Sequence, residues 1–182
     1  MATQPNFITL EEYLALEQTA DERHEYFNGE MFAMAGGSPE HADIAANLVR
    51  EIGNRLQQGC RVRGADMGIT TPTGLHTYAD AVVSCDPQQY DHNFLVNPLV
   101  IFEVLSESTE ARDRGKKFET YRSIPSFREY FLVAQDRMYV ERHIRGSSGE
   151  WTMREFKSDD LVIETVHLTL PLALIYLNVL GG

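Results

Sequence analysis

Apolar positions along the chain recur with two periods, and the changes from one to the other mark the elements. "ITLEEYLALEQ" opens on Thr9 and Glu12, spaced as a capping box, and Tyr13, Leu14 and Leu16 follow at helical spacing. "HEYFNGEMFAMA" alternates apolar and polar residues on both sides of Asn28-Gly29, the pattern of a β-hairpin. In "GGSPEHADIAANLVREIGNRLQQG", Ser38 stands as N-cap and Pro39 at the first helical position. Ile44, Leu48, Ile52 and Leu56 then form an i, i+4 stripe, which predicts a helix stopped by Gly59.

Period two takes over after that. "CRVRGADMGIT" and "TYADAVVSCD" are predicted as consecutive strands, with "LVIFEVLSES" from Leu99 to Ser108 as the third. A second helix, "DRGKKFETYRSIP", ends at Pro125. "REYFLVA", "MYVERHIR", "WTMREF" and "LVIETVHL" are further strands, with a turn at Gly146 to Gly149, and "LPLALIYLNVL" closes the series as a short apolar helix. The expected fold is one domain over residues 1–182, mixed α/β or α+β. It carries an N-terminal helix-hairpin and a C-terminal β extension.

Composition narrows the function. The 182 residues are 43% hydrophobic and 24% charged, enough for a full core. A formal net charge of -11 argues against unspecific wrapping of nucleic acid, though a local basic groove or a metal-bridged phosphate is compatible with it. Cys60 and Cys85 form neither a ligand set nor a disulfide framework by spacing, and are expected to pack as small apolar groups. No leader pattern opens the chain and no apolar run approaches about 18 residues, so a cytoplasmic protein without a membrane partner is expected.

One position breaks the strand pattern. Leu99, Val100, Ile101, Phe102, Val104 and Leu105 read as a strand buried on both faces, with Glu103 in its middle. An unpaired carboxylate there costs several kcal/mol or takes up a proton. Asp80 opens the preceding apolar run "DAVVSC". If the two strands are neighbours, both carboxylates converge, and a divalent cation such as Mg²⁺ or Mn²⁺ relieves their repulsion. No lysine follows two residues after Glu103, so the basic partner is sought in the next helix, at Lys117, which shares a face with Tyr121 and Arg114. Each residue also has a plainer role: Asp80 as a backbone cap, Glu103 in a salt bridge to Arg114 or Arg122, and Lys117 on a solvated face. The run "EARDRGKK" likewise reads as a solvated helix start or a phosphate contact.

"HEYFNGEMFAMAGGSPEH", "YADAVVSCD", "LVIFEVLSEST" and "DRGKKFETYRSIPSFREYFLV", in this order, resemble the Uma2 family (formerly DUF820) of the PD-(D/E)XK nuclease superfamily. The resemblance runs from about Glu11 to Tyr176. It implies a restriction-endonuclease-like core, a four- or five-stranded mixed β-sheet flanked by helices, with Asp80 and Glu103 as metal ligands. It also implies that the usual lysine has moved to the next helix, at Lys117. Ala79 stands where a proline usually precedes the aspartate, and Leu105 where the superfamily has lysine. Glu25, as a third acid or as a cross-strand partner of Arg23, and His41, as a phosphate or water contact, are the further candidates for the cleft.

The expected function is a metal-dependent endonuclease that hydrolyses DNA phosphodiester bonds. The alternative is a catalytically inactive nuclease-fold module that binds nucleic acid or a partner protein. The apolar segment Leu168 to Leu180 and the late strands suggest a homodimer.

Overall fold

A computed structural model describes residues 7–34 and 36–180. Helix α1 (Leu10–Glu17) starts at the Thr9–Glu12 capping box, in which each side chain accepts from the other's backbone N–H. Strands β1 (His24–Phe27) and β2 (Glu30–Ala33) pair through the Asn28-Gly29 turn, both residues lying at positive φ, 52° and 85°. Helix α2 (Pro39–Gly53) is capped by Ser38 Oγ, which accepts from the His41 N–H. Ile44, Leu48 and Ile52 are its fully buried stripe. The helix stops six residues before Gly59, and Leu56 reaches the core from the turn beyond it.

The two predicted strands that follow are four. Strands β3 (Cys60–Gly64) and β6 (Ala81–Cys85) belong to one sheet, while β4 (Gly68–Thr70) and β5 (His76–Tyr78) belong to another. Each sequence run therefore breaks where the chain changes sheet, at Gly64–Gly68 and at Ala79–Asp80. The short strands β7 (Tyr90–Asp91) and β8 (Phe94–Leu95) finish the second sheet, before β9 (Val100–Leu105) returns the chain to the first.

After β9 comes one continuous helical segment. It consists of α3 (Glu110–Arg112), a π-helical turn (Asp113–Lys117) and α4 (Phe118–Tyr121). Strand β10 (Glu129–Ala134) then runs parallel to β9, and β11 (Val140–Arg145) and β12 (Trp151–Phe156) extend the sheet antiparallel. A parallel pair cannot be closed by a hairpin, so the helical crossover is a topological necessity, and it lies over one face of the sheet. The run "LVIETVHL" is not one strand. It holds β13 (Leu161–Ile163), a 3₁₀ turn and the start of β14 (Leu168–Leu170), reversed through His167 in the left-handed region. A short helix, α5 (Leu172–Ile175), ends the elements.

The main sheet has the order β12-β11-β10-β9-β6-β3, and the second β2-β1-β5-β4-β8-β7. Alternate residues of β9 divide between two cores. Val100, Phe102 and Val104 face α2, the β13-β14 ribbon and α5, with Phe102 stacked on Phe131 at 4.5 Å. Ile101 and Leu105 face a core shared with Ile69 and Leu95 of the second sheet and with Tyr121 of α4. The mixed sheet flanked by helices matches the expected restriction-endonuclease-like core, with six strands where four or five were expected; the second sheet is an addition to it.

Two further sequence expectations need correction. Cys60 and Cys85 are directly opposed across β3 and β6 and form a disulfide. They are 25 residues apart, so only the strand register makes them neighbours. The apolar C-terminal stretch is largely used inside the chain, since Leu168, Leu170, Leu172, Ile175 and Tyr176 are buried in the main core. No helix among the described residues is long and apolar enough to cross a membrane.

Phe102 anchors the strand that carries Glu103 from the opposite face. Phe102→Ala should lower unfolding free energy by about 3–5 kcal/mol, read by urea denaturation. A cost near zero would mean that this face of β9 does not hold the strand.

Candidate functional site

Three pieces of backbone build one cavity. In the β6-β9 pairing Ala81 opposes Phe102, so one step further places Asp80 opposite Glu103 on the same face. Asp80 lies where the chain leaves the second sheet, and its Oδ2 accepts from the Val104 N–H at 2.6 Å, tying the crossover to β9. In the β1-β5 pairing Tyr26 opposes His76, and the next step places Glu25 opposite Thr77, whose hydroxyl donates to the Glu25 carboxylate. The crossover helix supplies the third wall.

That wall carries Lys117. Its ammonium donates to Glu103 Oε1 at 2.8 Å and to the Tyr78 carbonyl at 3.0 Å. It also lies 3.5 Å from Glu25 Oε1 and 3.8 Å from Asp113 Oδ1. The π turn sets this face. It buries both Asp113 and Lys117 on the cavity side, and Arg114 turns away to Glu110 and Glu141. The expected pairing of Glu103 with Arg114 or Arg122 is therefore replaced by Lys117, and the shared Lys117–Arg114 face by a Lys117–Asp113 face. Tyr121 completes the contacts of Glu103, donating to Oε1 at 3.0 Å.

His41 enters from the first turn of α2. Its Nε2 donates to Asp80 Oδ1 at 2.9 Å. Among the described residues its buried Nδ1 has no partner. Gly37 lets the ring in, since a Cβ there would stand 2.7 Å from His41 Cδ2.

Glu25, His41, Asp80, Glu103, Asp113 and Lys117 thus line a single cavity of about 240 Å³, with Arg112 at its rim in contact with the Glu25 carboxylate. All five candidates from the sequence meet there. Arg112 and Asp113 were missed, because "EARDRGKK" has no apolar periodicity that shows which of its charges turn inward. Arg23 pairs with Asp66 and leaves Glu25 to the cavity.

Charge dominates this space. Four carboxylates face Lys117 and Arg112, and Glu103 is only 3% exposed. Burial pushes the Glu103 carboxyl up to about 8, with Asp113 and Asp80 adding to the rise and Lys117 opposing it. Burial also raises Asp113. It works against the Lys117 ammonium, but Glu103 and Asp113 hold that group above the ordinary lysine value. The hydrogen bond to Asp80 raises His41.

No three His, Cys, Asp or Glu side chains among the described residues are already drawn together as a cage for a metal ion. Two carboxylates, water and a substrate phosphate are nevertheless what Mg²⁺ commonly takes, and Asp80 and Glu103 supply that hard-oxygen pair. The donor set fits.

The family model for Uma2, described as "Putative restriction endonuclease", matches residues 10–175. "Uncharacterized protein slr1290" of Synechocystis sp. (strain ATCC 27184 / PCC 6803 / Kazusa) is 35% identical over 170 residues, covering 91% of this chain and 90% of the relative. "Uncharacterized protein sll1609" of the same strain is 32% identical over 165 residues, covering 86% and 92%. A crystal structure of a "putative nuclease belonging to DUF820" from Anabaena variabilis ATCC 29413 superposes with a TM-score of 0.74 at 18% identity. It covers 93% of this chain and 97% of that one, and at this identity the likeness is one of fold.

The raised Glu103 pKa has a consequence for stability. Between the ordinary value of 4.5 and about 8, the folded chain holds a proton that the unfolded chain has released, so stability falls as pH rises through that window. In a metal chelator, the melting temperature should drop by about 5 °C or more from pH 5 to pH 8, and Glu103→Gln should flatten the slope. Parallel slopes for the two proteins would show that Glu103 does not hold the proton.

Proposed function

This chain belongs to the Uma2 family, and on that premise we propose that it is a metal-dependent endonuclease hydrolysing DNA phosphodiester bonds. One observation carries the reading: two acids opposed across adjacent strands share a cavity with a buried lysine 2.8 Å from one of them.

Asp80 and Glu103 would hold Mg²⁺ or Mn²⁺. Such an ion, when bound, supplies neutralisation of the two acids, a more acidic water and charge stabilisation at a phosphoryl oxygen. Lys117 stays protonated among its acidic neighbours, so it can orient the attacking water or offset charge growing on the phosphorus oxygens. His41 fixes Asp80 by holding one carboxylate oxygen while the Val104 N–H holds the other. Glu25 steadies Lys117 and Arg112 together. Arg112, with its side chain 44% exposed, is placed to meet a phosphate of the incoming strand. A homodimer would offer one such cavity to each strand of a duplex.

Asp80→Ala and Glu103→Ala should each reduce cleavage of single- and double-stranded DNA in Mg²⁺ or Mn²⁺ by about a thousandfold, and Lys117→Met by about a hundredfold. Cleavage undiminished in both acid variants would remove this site from the reaction. Absence of Mg²⁺ or Mn²⁺ affinity at millimolar levels, measured by calorimetry, would favour a non-catalytic nuclease-fold module instead.

A further inference from the structure

A second cavity, of about 210 Å³, adjoins the acid cavity and shares Arg112 and Lys117 with it. Its walls are apolar: Phe27 and Phe32 of the hairpin, and Leu75. The hairpin register explains this. Glu25 and Phe32 are directly opposed across β1 and β2, and Phe27 lies two residues from Glu25, so all three share one face. Tyr26, between them, points the other way into the core around Tyr13. The same face of one hairpin thus presents an acid to the first cavity and two aromatic rings to the second.

The rings are left open to a partner. Phe32 is 43% exposed and lies at the mouth of the apolar cavity beside the acid one. Cations already stand over them, with Lys116 Nζ 4.6 Å from the Phe27 ring centroid and Arg112 Cζ 5.9 Å from that of Phe32. Aromatic faces flanked by Lys and Arg are how proteins take unpaired bases, the ring stacking on the base and the cation meeting the backbone. The space is smaller than the roughly 300–1,000 Å³ of sites for drug-sized ligands, which suits one planar base and excludes a stacked duplex end.

We propose that the Phe27–Phe32 cavity is a nucleobase subsite, which holds one unstacked base of a DNA strand while the neighbouring phosphate lies at Arg112 and Lys117. The inference rests on the nuclease reading and names its substrate: single-stranded DNA, or a nucleotide swung out of a duplex. Such a subsite selects against a continuous, fully stacked helix, because unstacking a base costs free energy that a single-stranded segment does not have to find.

Binding separates this from cleavage. An oligothymidylate and an abasic deoxyribose-phosphate strand of equal length are titrated by fluorescence anisotropy, with Ca²⁺ replacing Mg²⁺ so that no turnover intervenes. The native chain should bind the base-bearing strand about tenfold more tightly. Phe32→Ala should lose that preference and Phe32→Trp should keep it. Because Phe32 is partly exposed, Phe32→Ala is expected to melt at the native temperature, which checks folding directly. Equal affinity of the native chain for the two strands, or a preference that survives Phe32→Ala, overturns the subsite. The nuclease reading fails separately: a base preference without Mg²⁺-dependent cleavage leaves the subsite standing and removes the enzyme, and cleavage without a base preference does the reverse.

Discussion

The contact between Lys117 and Glu103 is the one on which this corner of the fold depends. Glu103 stands on a strand whose other residues are all buried apolar groups, and nothing in that strand can solvate it. Removing a carboxylate from water costs several kcal/mol, and an isolated one would distort the sheet or stay neutral. A lysine alone does not settle the balance, because Glu25, Asp80 and Asp113 line the same space. Burial, reinforced by Asp113 and Asp80, explains why Glu103 keeps its proton well above the usual carboxylate range, and Glu103 and Asp113 explain why Lys117 is held charged. A structural salt bridge would need one acid. Four acids against Lys117 and Arg112 leave room for a further positive charge.

Topology follows from the same point. Strand β9 lies between an antiparallel neighbour, β6, and a parallel one, β10. The antiparallel side sets Asp80 opposite Glu103 by register alone. The parallel side demands a crossover, and the crossover delivers Lys117 over the face to which Glu103 points. The π turn at Asp113–Lys117 adjusts the helix phase so that an acid and the lysine point inward together. Strand order, connection and helix phase agree on one location. The second sheet contributes Glu25 and the Tyr78 carbonyl, and its hairpin closes the cavity from the side.

Much of this is legible in the sequence. The capping box at Thr9–Glu12, the Asn28-Gly29 turn and the Ser38-Pro39 start of α2 are local signals, and local hydrogen bonds decide them. The acid inside an apolar strand was legible because it contradicts its surroundings. What could not be read is whatever depends on distant pairing. The strand runs around Gly64–Gly68 and Ala79–Asp80 look continuous because strand-forming residues stand on both sides of each break, although they enter different sheets. Cys60 and Cys85 look unrelated until β3 and β6 are registered. Arg112 and Asp113 sit in a stretch where all residues but Ala111 and Gly115 are charged, so only the packed helix shows which of them face inward.

Net charge is a poor guide to how this chain would meet a polyanion. With a screening length of about 8 Å at physiological ionic strength, a phosphate at the cavity mouth responds to its immediate neighbours far more than to a total of -11. Those neighbours are Arg112, Lys116 and Lys117 on one side and the acids on the other. The cations invite the backbone of the strand, and the acids repel its phosphate from the place where hydrolysis would occur. On the proposed reading the conflict is the basis of selectivity. A phosphate enters only when a divalent ion cancels Asp80 and Glu103, so ion and substrate stabilise each other's binding, and neither site is fully formed without the other. A surface tuned simply to attract DNA would have spread lysine and arginine widely. This chain instead gathers a few cations beside buried acids, an arrangement that disfavours general contact and rewards a strand held at one point.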